Sequence, residues 1–333
     1  MRVFITGGSG FIGQRLAEKL LAGNNEVVLL LRDPDRARKL MYAGCQVVKG
    51  DILNKPALIE GMRNCDLVFH LAAYTRPWSK DPEIPYKINV TGTLNILETA
   101  VMTGVPKVVV TSTAGTMSFS HDGKPVNEST NPNPEFHTSY ERTKAEAEKI
   151  CVDYSRKGLD VVIVNPTRVY GPGELTKSNS LTRIIKLYRK GLWRILPGTG
   201  NAVGNYVYID NVVSGHILAA SKGLSGERYI LGGENLSYTD LFRIVGEEAG
   251  RVRNLVRLPL LLLKATLRTS KLFADITGLQ PLLTREWLDK YLKNWIMSSD
   301  KAKEHLGYDI ISFRAGVRET FKWIDINNDQ NDQ

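Results

Sequence analysis

The chain has 333 residues, 42% of them hydrophobic and 24% charged, the proportions of a soluble globular protein long enough to bury a large core. Its net charge of +9 suits an anionic small ligand, a phosphate surface or an acidic membrane face, and chooses among none of them. Cys45, Cys65 and Cys151 are odd in number and lack CxxC spacing, and the five histidines are scattered; this argues against a disulfide framework, a zinc site or another metal centre. A reducing, cytoplasmic compartment is expected.

The opening "MRVFITGGSGFIG" has no basic, then apolar, then cleavable pattern, so no secretory signal is read there. "RVFIT" predicts a strand, "FIGQRLAEKLLAG" a helix and "EVVLLL" a second strand. "CQVVK" is strand-like, "PALIEGM" a short helix and "DLVFHLA" a strand. "NVTGTLNILETAVMTG" reads as a helix, "KVVVTST" as a strand, "TSYERTKAEAEKI" as an amphipathic helix and "DVVIVNPTRVYG" as a strand. Strands apolar on both faces, alternating with helices, predict an α/β fold: a doubly wound parallel sheet covered on both sides.

After Gly171 the pattern loosens into helices separated by turns such as "LPGTGNAVGN". The expected organisation is a nucleotide-binding core over residues 1–170, with strands "NYVYIDNV" and "ERYILGG" returning to it at about 205–232. Residues 171–325 form mainly a smaller C-terminal substrate-binding cap, and 326–333 a disordered tail. "LPLLLLKATL", Leu258 to Leu267, is too short to span a bilayer and reads as a buried helix. Membrane-surface contact is the alternative, because Arg251, Arg253, Arg257, Lys264 and Arg268 surround it.

Three short stretches carry chemistry. "TGGSGFIG" sets Gly7, Gly10 and Gly13 between a strand and a helix. There glycines allow a tight turn, close approach of backbone to a pyrophosphate, and close helix packing, while the helix start offers unpaired N–H groups. The second strand ends in "LRDPDRARKL": Arg32 comes before Asp33, with Lys39 close behind. A guanidinium there can pair with a 2′-phosphate, which favours NADP(H), while Asp33 keeps NAD(H) open. In "GDI", Asp51 could accept from an adenine amino group with Ile52 against the ring; a turn aspartate is the plain alternative.

With "TGGSGFIG", "GDI", "VFHLAA", "NVTGT", "TSTAGT" and "YERTK" in this order over nearly its whole length, the chain resembles the extended short-chain dehydrogenases/reductases, the NAD-dependent epimerase/dehydratase family. Within them it is most similar to the dihydroflavonol 4-reductase-like group. The resemblance implies a Rossmann core, a nicotinamide cofactor and a catalytic group of Thr113, Tyr140 and Lys144. Tyr140 would be the acid, Lys144 its partner, and Thr113, with Ser112 as second choice, the hydroxyl that polarises the substrate oxygen. A phenol of ordinary pKa near ~10 is a poor base at neutral pH, and a nearby ammonium would favour the phenolate.

The resemblance further implies cofactor contacts at Phe11, Ile12, Leu71, Ala72 and Ala73 beside the glycines, and at Pro166 and Val169 beside the nicotinamide. Arg168 and Tyr170 are left open between pocket and loop structure, and His137 reads as a surface loop residue. Tyr74, Trp78 and Ser112 are the expected substrate contacts. Nucleotide-sugar enzymes of this type commonly carry an Arg where "GNYVYIDNV" has Gly204, and a diphosphate would miss it. The expectation is therefore an NADP(H)-dependent reductase of a ketone or aldehyde on a small, non-nucleotide molecule. An NAD(P)-dependent nucleotide-sugar epimerase or dehydratase is the alternative. The expected partners are a small carbonyl or alcohol substrate, not nucleic acid, and a second copy of the chain paired through the helix bearing Tyr140.

Overall fold

The computed structural model describes residues 1–76, 79–130, 134–174, 179–259 and 292–329. In chain order its strands are β1 (Arg2–Thr6), β2 (Glu26–Leu31), β3 (Gln46–Lys49), β4 (Leu67–His70), β5 (Lys107–Thr111), β6 (Asp160–Pro166), β7 (Arg168–Tyr170), β8 (Ile195–Pro197), β9 (Val203–Tyr208), β10 (Arg228–Leu231), β11 (Glu234–Ser237) and β12 (Val256–Leu258). Its helices are α1 (Phe11–Ala22), α2 (Arg38–Tyr42), α3 (Lys55–Met62), α4 (Glu83–Tyr86), α5 (Gly92–Thr103), α6 (Ser139–Arg156), α7 (Ser180–Arg189), α8 (Ile209–Lys222), α9 (Tyr238–Glu248), α10 (Asp300–Leu306) and α11 (Phe313–Asp329).

Seven strands form one parallel sheet in the order β10-β6-β5-β4-β1-β2-β3. β1 and β2 are buried along almost their whole length, because helices cover both faces of the sheet. Leu16, Ala17 and Leu20 of α1 and Val212 and Ala219 of α8 close one face. Leu58 of α3, Ile96, Leu97 and Ala100 of α5 and Cys151 of α6 close the other. Each fully buried Leu or Ile contributes about 1.5–3 kcal/mol, so these faces carry most of the fold's stability. The chain winds from β1 out to β3, then returns to β4 on the other side. The order therefore reverses between β1 and β4, and the crevice beyond their carboxyl ends is where such sheets take ligands.

Beside this sheet lies a three-stranded one, β11-β9-β7, and a parallel pair, β12-β8. Three details depart from the sequence reading. "DVVIVNPTRVYG" is two strands in two sheets: β6 stops at Pro166, which has no N–H to continue a ladder, and β7 pairs with β9 instead. "NYVYIDNV" does not return to the core. Its strand part, β9, pairs with β7 and β11, and "IDNV" opens α8, whereas β10 does join the seven-stranded sheet beside β6. α11 continues to Asp329, four residues into the stretch expected to be a tail, because buried Phe321 and Ile324 carry the helix onward. Of the apolar run, residues 260–267 lie outside the described residues, and Val256–Leu258 form β12. Among the described residues no helix is long and apolar enough to cross a membrane.

Candidate active site

The glycine turn closes over the end of β4. Gly7 has φ +75°, and a Cβ on it would fall 2.7 Å from the Ala72 nitrogen and 2.8 Å from the Leu71 carbonyl carbon. A Cβ on Gly13 would stand 2.2 Å from the Gly7 oxygen, so the first turn of α1 packs directly on the loop. Gly10 caps α1 with no side chain, and no acidic residue sits in the first turn. The positive end of the helix dipole is thus left to an outside anion, and this cradle fits a dinucleotide pyrophosphate. Phe11 is buried, with its ring against Gly173, so its backbone rather than its ring faces that cradle. Ile12, Leu71, Ala72 and Ala73 are all partly accessible around it.

At the end of β2, Arg32 is 73% exposed and its guanidinium lies 3.8 Å from Asp51. Asp33 is spent locally: its carboxylate accepts from the Asp35 N–H at 3.2 Å and caps the turn Pro34–Ala37. Lys39 is exposed on α2. Asp51 also accepts from the Leu53 N–H at 3.0 Å. Ile52 differs from the expectation: it is 5% exposed and packed where a Cβ on Gly92 would touch it at 2.4 Å, so its side chain belongs to the core more than to a ring-binding surface.

The helix with Tyr140 and Lys144 starts in a reciprocal cap. The Thr138 hydroxyl accepts from the Glu141 N–H at 3.2 Å, and the Glu141 carboxylate accepts from the Thr138 and His137 N–H groups at 3.2 and 2.8 Å. That fixes α6 two residues before the half-buried Tyr140. Burial pushes the Tyr140 phenol up to about 12, while a hydrogen bond with the Thr113 side chain draws it back. Lys144, one turn further, is 1% exposed, and burial pushes its ammonium down to about 8 against the pull of Cys151 and Glu148. In the protein alone desolvation thus moves the phenol up, opposite to the expected direction, and Lys144 is not among the groups that draw it down. Thr113, at the end of β5, has two roles, since its hydroxyl also accepts from the Gly115 N–H at 3.2 Å.

Ser112 is not available as a substrate contact. It is buried, and its hydroxyl donates a short hydrogen bond to Glu148. The same carboxylate oxygen accepts from Thr116 at 2.8 Å and Asn165 at 2.7 Å, and the Arg228 guanidinium lies 3.5 Å from the other oxygen. Glu148, one turn beyond Lys144, thus ties α6 to the loop after β5 and to the end of β6. In sequence it looks like any helix carboxylate, so only its burial betrays it.

A second buried network was also missed. The Ala72 N–H donates to the Thr6 hydroxyl at 3.3 Å, which lies 2.7 Å from His70 Nδ1. His70 Nε2 lies 3.1 Å from the Thr93 hydroxyl, which itself donates to the Asn89 carbonyl at 2.7 Å. Every donor is used only if His70 is neutral with its proton on Nε2. Burial, with the Lys144 charge, pushes its pKa down to about 3. Asn89 sits in a π-helical turn, Lys87–Thr91, holds both backbone groups of Tyr74 at 2.7 and 3.2 Å, and donates to Thr143 at 2.9 Å. Such turns are enriched at functional sites, but their hydrogen-bond shift leaves no mark on the residue pattern.

Of the remaining residues, Tyr170 is core: it is fully buried and donates to the Phe313 carbonyl at 3.1 Å. Tyr74 is partly accessible, with Arg76 6.0 Å above its ring, and Trp78 lies outside the described residues. His137 is half-buried against Phe119, ring to ring at 5.4 Å, rather than free on the surface. Pro166 ends β6, and Val169 in β7 lies opposite Val207. Arg168 donates to the Tyr206 and Tyr238 hydroxyls at 3.2 and 2.9 Å. A Cβ on Gly204 would meet its guanidinium at 2.4 Å, so Arg168 fills the space in which a longer residue at 204 would start.

Residues 3–232 match the model of the NAD dependent epimerase/dehydratase family. The chain is 31% identical over 96% of its length to a putative dihydroflavonol 4-reductase of Synechocystis, of which 94% is covered. It is 33% identical over 69% of its length to 4-hydroxy-2-methyl-3-oxo-4-farnesyl-3,4-dihydroquinoline-1-oxide ketoreductase of Stigmatella aurantiaca, of which 68% is covered. Among solved structures it is similar to the Thermus thermophilus UDP-glucose 4-epimerase complex with NAD: TM-score 0.78, 26% identity, 98% of this chain and 99% of that one.

Proposed function

Because the chain belongs to the NAD-dependent epimerase/dehydratase family of extended short-chain dehydrogenases/reductases, and is therefore an NAD(P)-dependent enzyme, we propose that it is an NADP(H)-dependent reductase of a ketone or aldehyde on a small, partly apolar, non-nucleotide molecule. The observation that carries this reading is the Tyr140 phenol hydrogen-bonded with Thr113 at the carboxyl end of β5, one helical turn from the buried Lys144. The likeness to one reductase and one ketoreductase supports it.

The cofactor would be held by the Gly7–Gly13 turn and α1, by Arg32 and Lys39 at a 2′-phosphate, by Asp51 at the adenine, by Leu71–Ala73, and by Pro166 and Val169 at the nicotinamide. When bound, that ring supplies the hydrogen and electron pair that reduce the carbonyl carbon. Tyr140 and Thr113 orient the carbonyl oxygen by hydrogen bonds. Tyr140 then gives that oxygen its proton, which a phenol held up at about 12 retains at neutral pH. The phenolate left behind is stabilised by Lys144, whose charge is worth more in a buried site than in water. Arg32 and Lys39, both exposed at this end of the sheet, support NADP(H), while Asp33, with one oxygen capping its turn and the side chain exposed, keeps NAD(H) open. Gly204, where nucleotide-sugar enzymes of this type commonly carry an Arg, supports a substrate without a nucleoside diphosphate.

Reduction consumes NADPH, whereas epimerisation returns the cofactor unchanged, so NADPH oxidation across a carbonyl panel separates the two readings. Tyr140→Phe should lose turnover by at least ~10²-fold, the usual worth of a positioned acid, and keep its affinity for NADPH. Undiminished turnover would remove Tyr140 from its role. Arg32→Ala should weaken NADPH about ten- to a hundredfold, one charge-assisted contact, and leave NADH unchanged. Equal losses for both dinucleotides would sink the 2′-phosphate assignment.

A further inference from the structure

The positive charge of this chain is concentrated. Residues 183–194 and 251–257 hold eight Lys and Arg and no Asp or Glu; without those eight the formal charge of +9 would be +1. The two segments also meet in space. β8 and β12 pair in parallel with Ile195 opposite Val256, and the Val256 N–H donates to the Arg194 carbonyl at 2.7 Å. The Arg253 guanidinium donates to the Arg189 carbonyl at 3.0 Å. Of the eight cations only Arg189 has an acidic partner among the described residues, Asp325 at 2.7 Å.

This basic surface is also apolar. Leu192 is 70% exposed, Val256 61%, Val252 60% and Ile195 41%. Single exposed aliphatics are ordinary, but four on two hydrogen-bonded segments, with Ile195 opposite Val256 and exposed Lys190, Arg194, Arg251 and Arg257 interspersed among them, form a patch. A polyanion such as nucleic acid would gain from the cations and nothing from the aliphatics. An anionic bilayer uses both: lipid phosphates pair with the cations while the aliphatics enter the acyl boundary.

We propose that the face built by the end of α7, β8, residues 251–255 and β12 docks the enzyme on the surface of an anionic lipid membrane. This inference does not rest on the reductase reading, since vesicle binding is measured without turnover. The experiment is co-sedimentation of the full chain with vesicles of phosphatidylglycerol and phosphatidylcholine, against phosphatidylcholine alone, at low and high salt.

The wild type should sediment with the mixed vesicles, less so at high salt, and hardly with phosphatidylcholine alone. Arg194→Glu/Arg257→Glu should lower binding by at least about tenfold, and Leu192→Ser/Val256→Ser should also weaken it. Lys190→Glu/Arg251→Glu, on loop and turn positions, repeats the charge test should the strand variants lose their thermal unfolding transition. Dinucleotide binding in solution should be unchanged in all three. Absence of sedimentation at low salt, equal binding to both vesicle types, or indifference to the charge variants would overturn the proposal. Loss with the charge variants but none with the aliphatic one would also overturn it, because the face would then suit a soluble polyanion.

Discussion

In the proposed mechanism Lys144 trades stability for chemistry. It is 1% exposed, and burial depresses its pKa to about 8. A lysine depressed in the folded state is penalised wherever it is charged, that is below about 8, and the penalty fades as pH rises toward the unfolded value of about 10.4. Lys144→Met should therefore raise stability at pH 7 by up to about 3 kcal/mol in urea unfolding, while turnover falls. A large loss of stability would show that the ammonium is structurally satisfied and that the active-site reading of its burial is mistaken. Tyr140 and Lys144 were singled out in sequence by the family resemblance, since a Tyr and a Lys one turn apart are common on helices. The resemblance put Thr113 before Ser112, while residue type alone could not separate them, since adjacent hydroxyls on a strand end differ only in the face they take. Ser112 faces Glu148 and Thr113 faces the phenol.

Among the elements, the turn between β1 and α1 has the least freedom. Gly13→Ala would put a methyl group 2.2 Å from the Gly7 oxygen, so helix and loop must part. We expect a loss of about 1–3 kcal/mol in denaturant unfolding together with weakened dinucleotide binding. Unchanged binding would mean that the pyrophosphate does not use this turn. The strand–glycine–helix succession was readable because glycine is required there for space. The separation of β6 from β7 was not, since the β-branched and aromatic residues on either side of "NPTR" read as one strand. Pro166 ends the ladder, and a second sheet, invisible locally, takes the next three residues.

At the scale of the whole molecule, the sheet sandwich buries two neutral histidines. His70 is pushed down to about 3, and His216 to about 4 by burial; His216 donates from Nδ1 to the Val212 carbonyl at 2.7 Å, and its Nε2 lies 2.8 Å from the Thr111 hydroxyl. Both folded values lie below the unfolded one near 6.5, so the unfolded chain binds more protons between the two. The stability they contribute is complete above about pH 6.5 and falls with pH, by about 1.4 kcal/mol per unit for each residue, until the folded state protonates near 4 and then 3. Urea midpoints between pH 7 and 4.5 should decline with that slope, and His216→Gln should remove about one proton's share. A flat profile would show that these rings are already charged in the fold.

From sequence alone came the parallel α/β core, the glycine turn and the basic end of the second strand. Each depends on period, side-chain size or charge within a dozen residues, and local chain chemistry is enough to express it. The Tyr–Lys pair came only through the ordered set of motifs that carries the family resemblance. Only tertiary structure decided that Ser112 serves Glu148, that Ile52 belongs to the core, that Arg168 fills the room beside Gly204, and that two basic segments almost sixty residues apart meet in the β8–β12 pair. Those outcomes depend on which groups lose their water and against whom they lose it. Burial of that kind is a property of surfaces brought together by the whole chain.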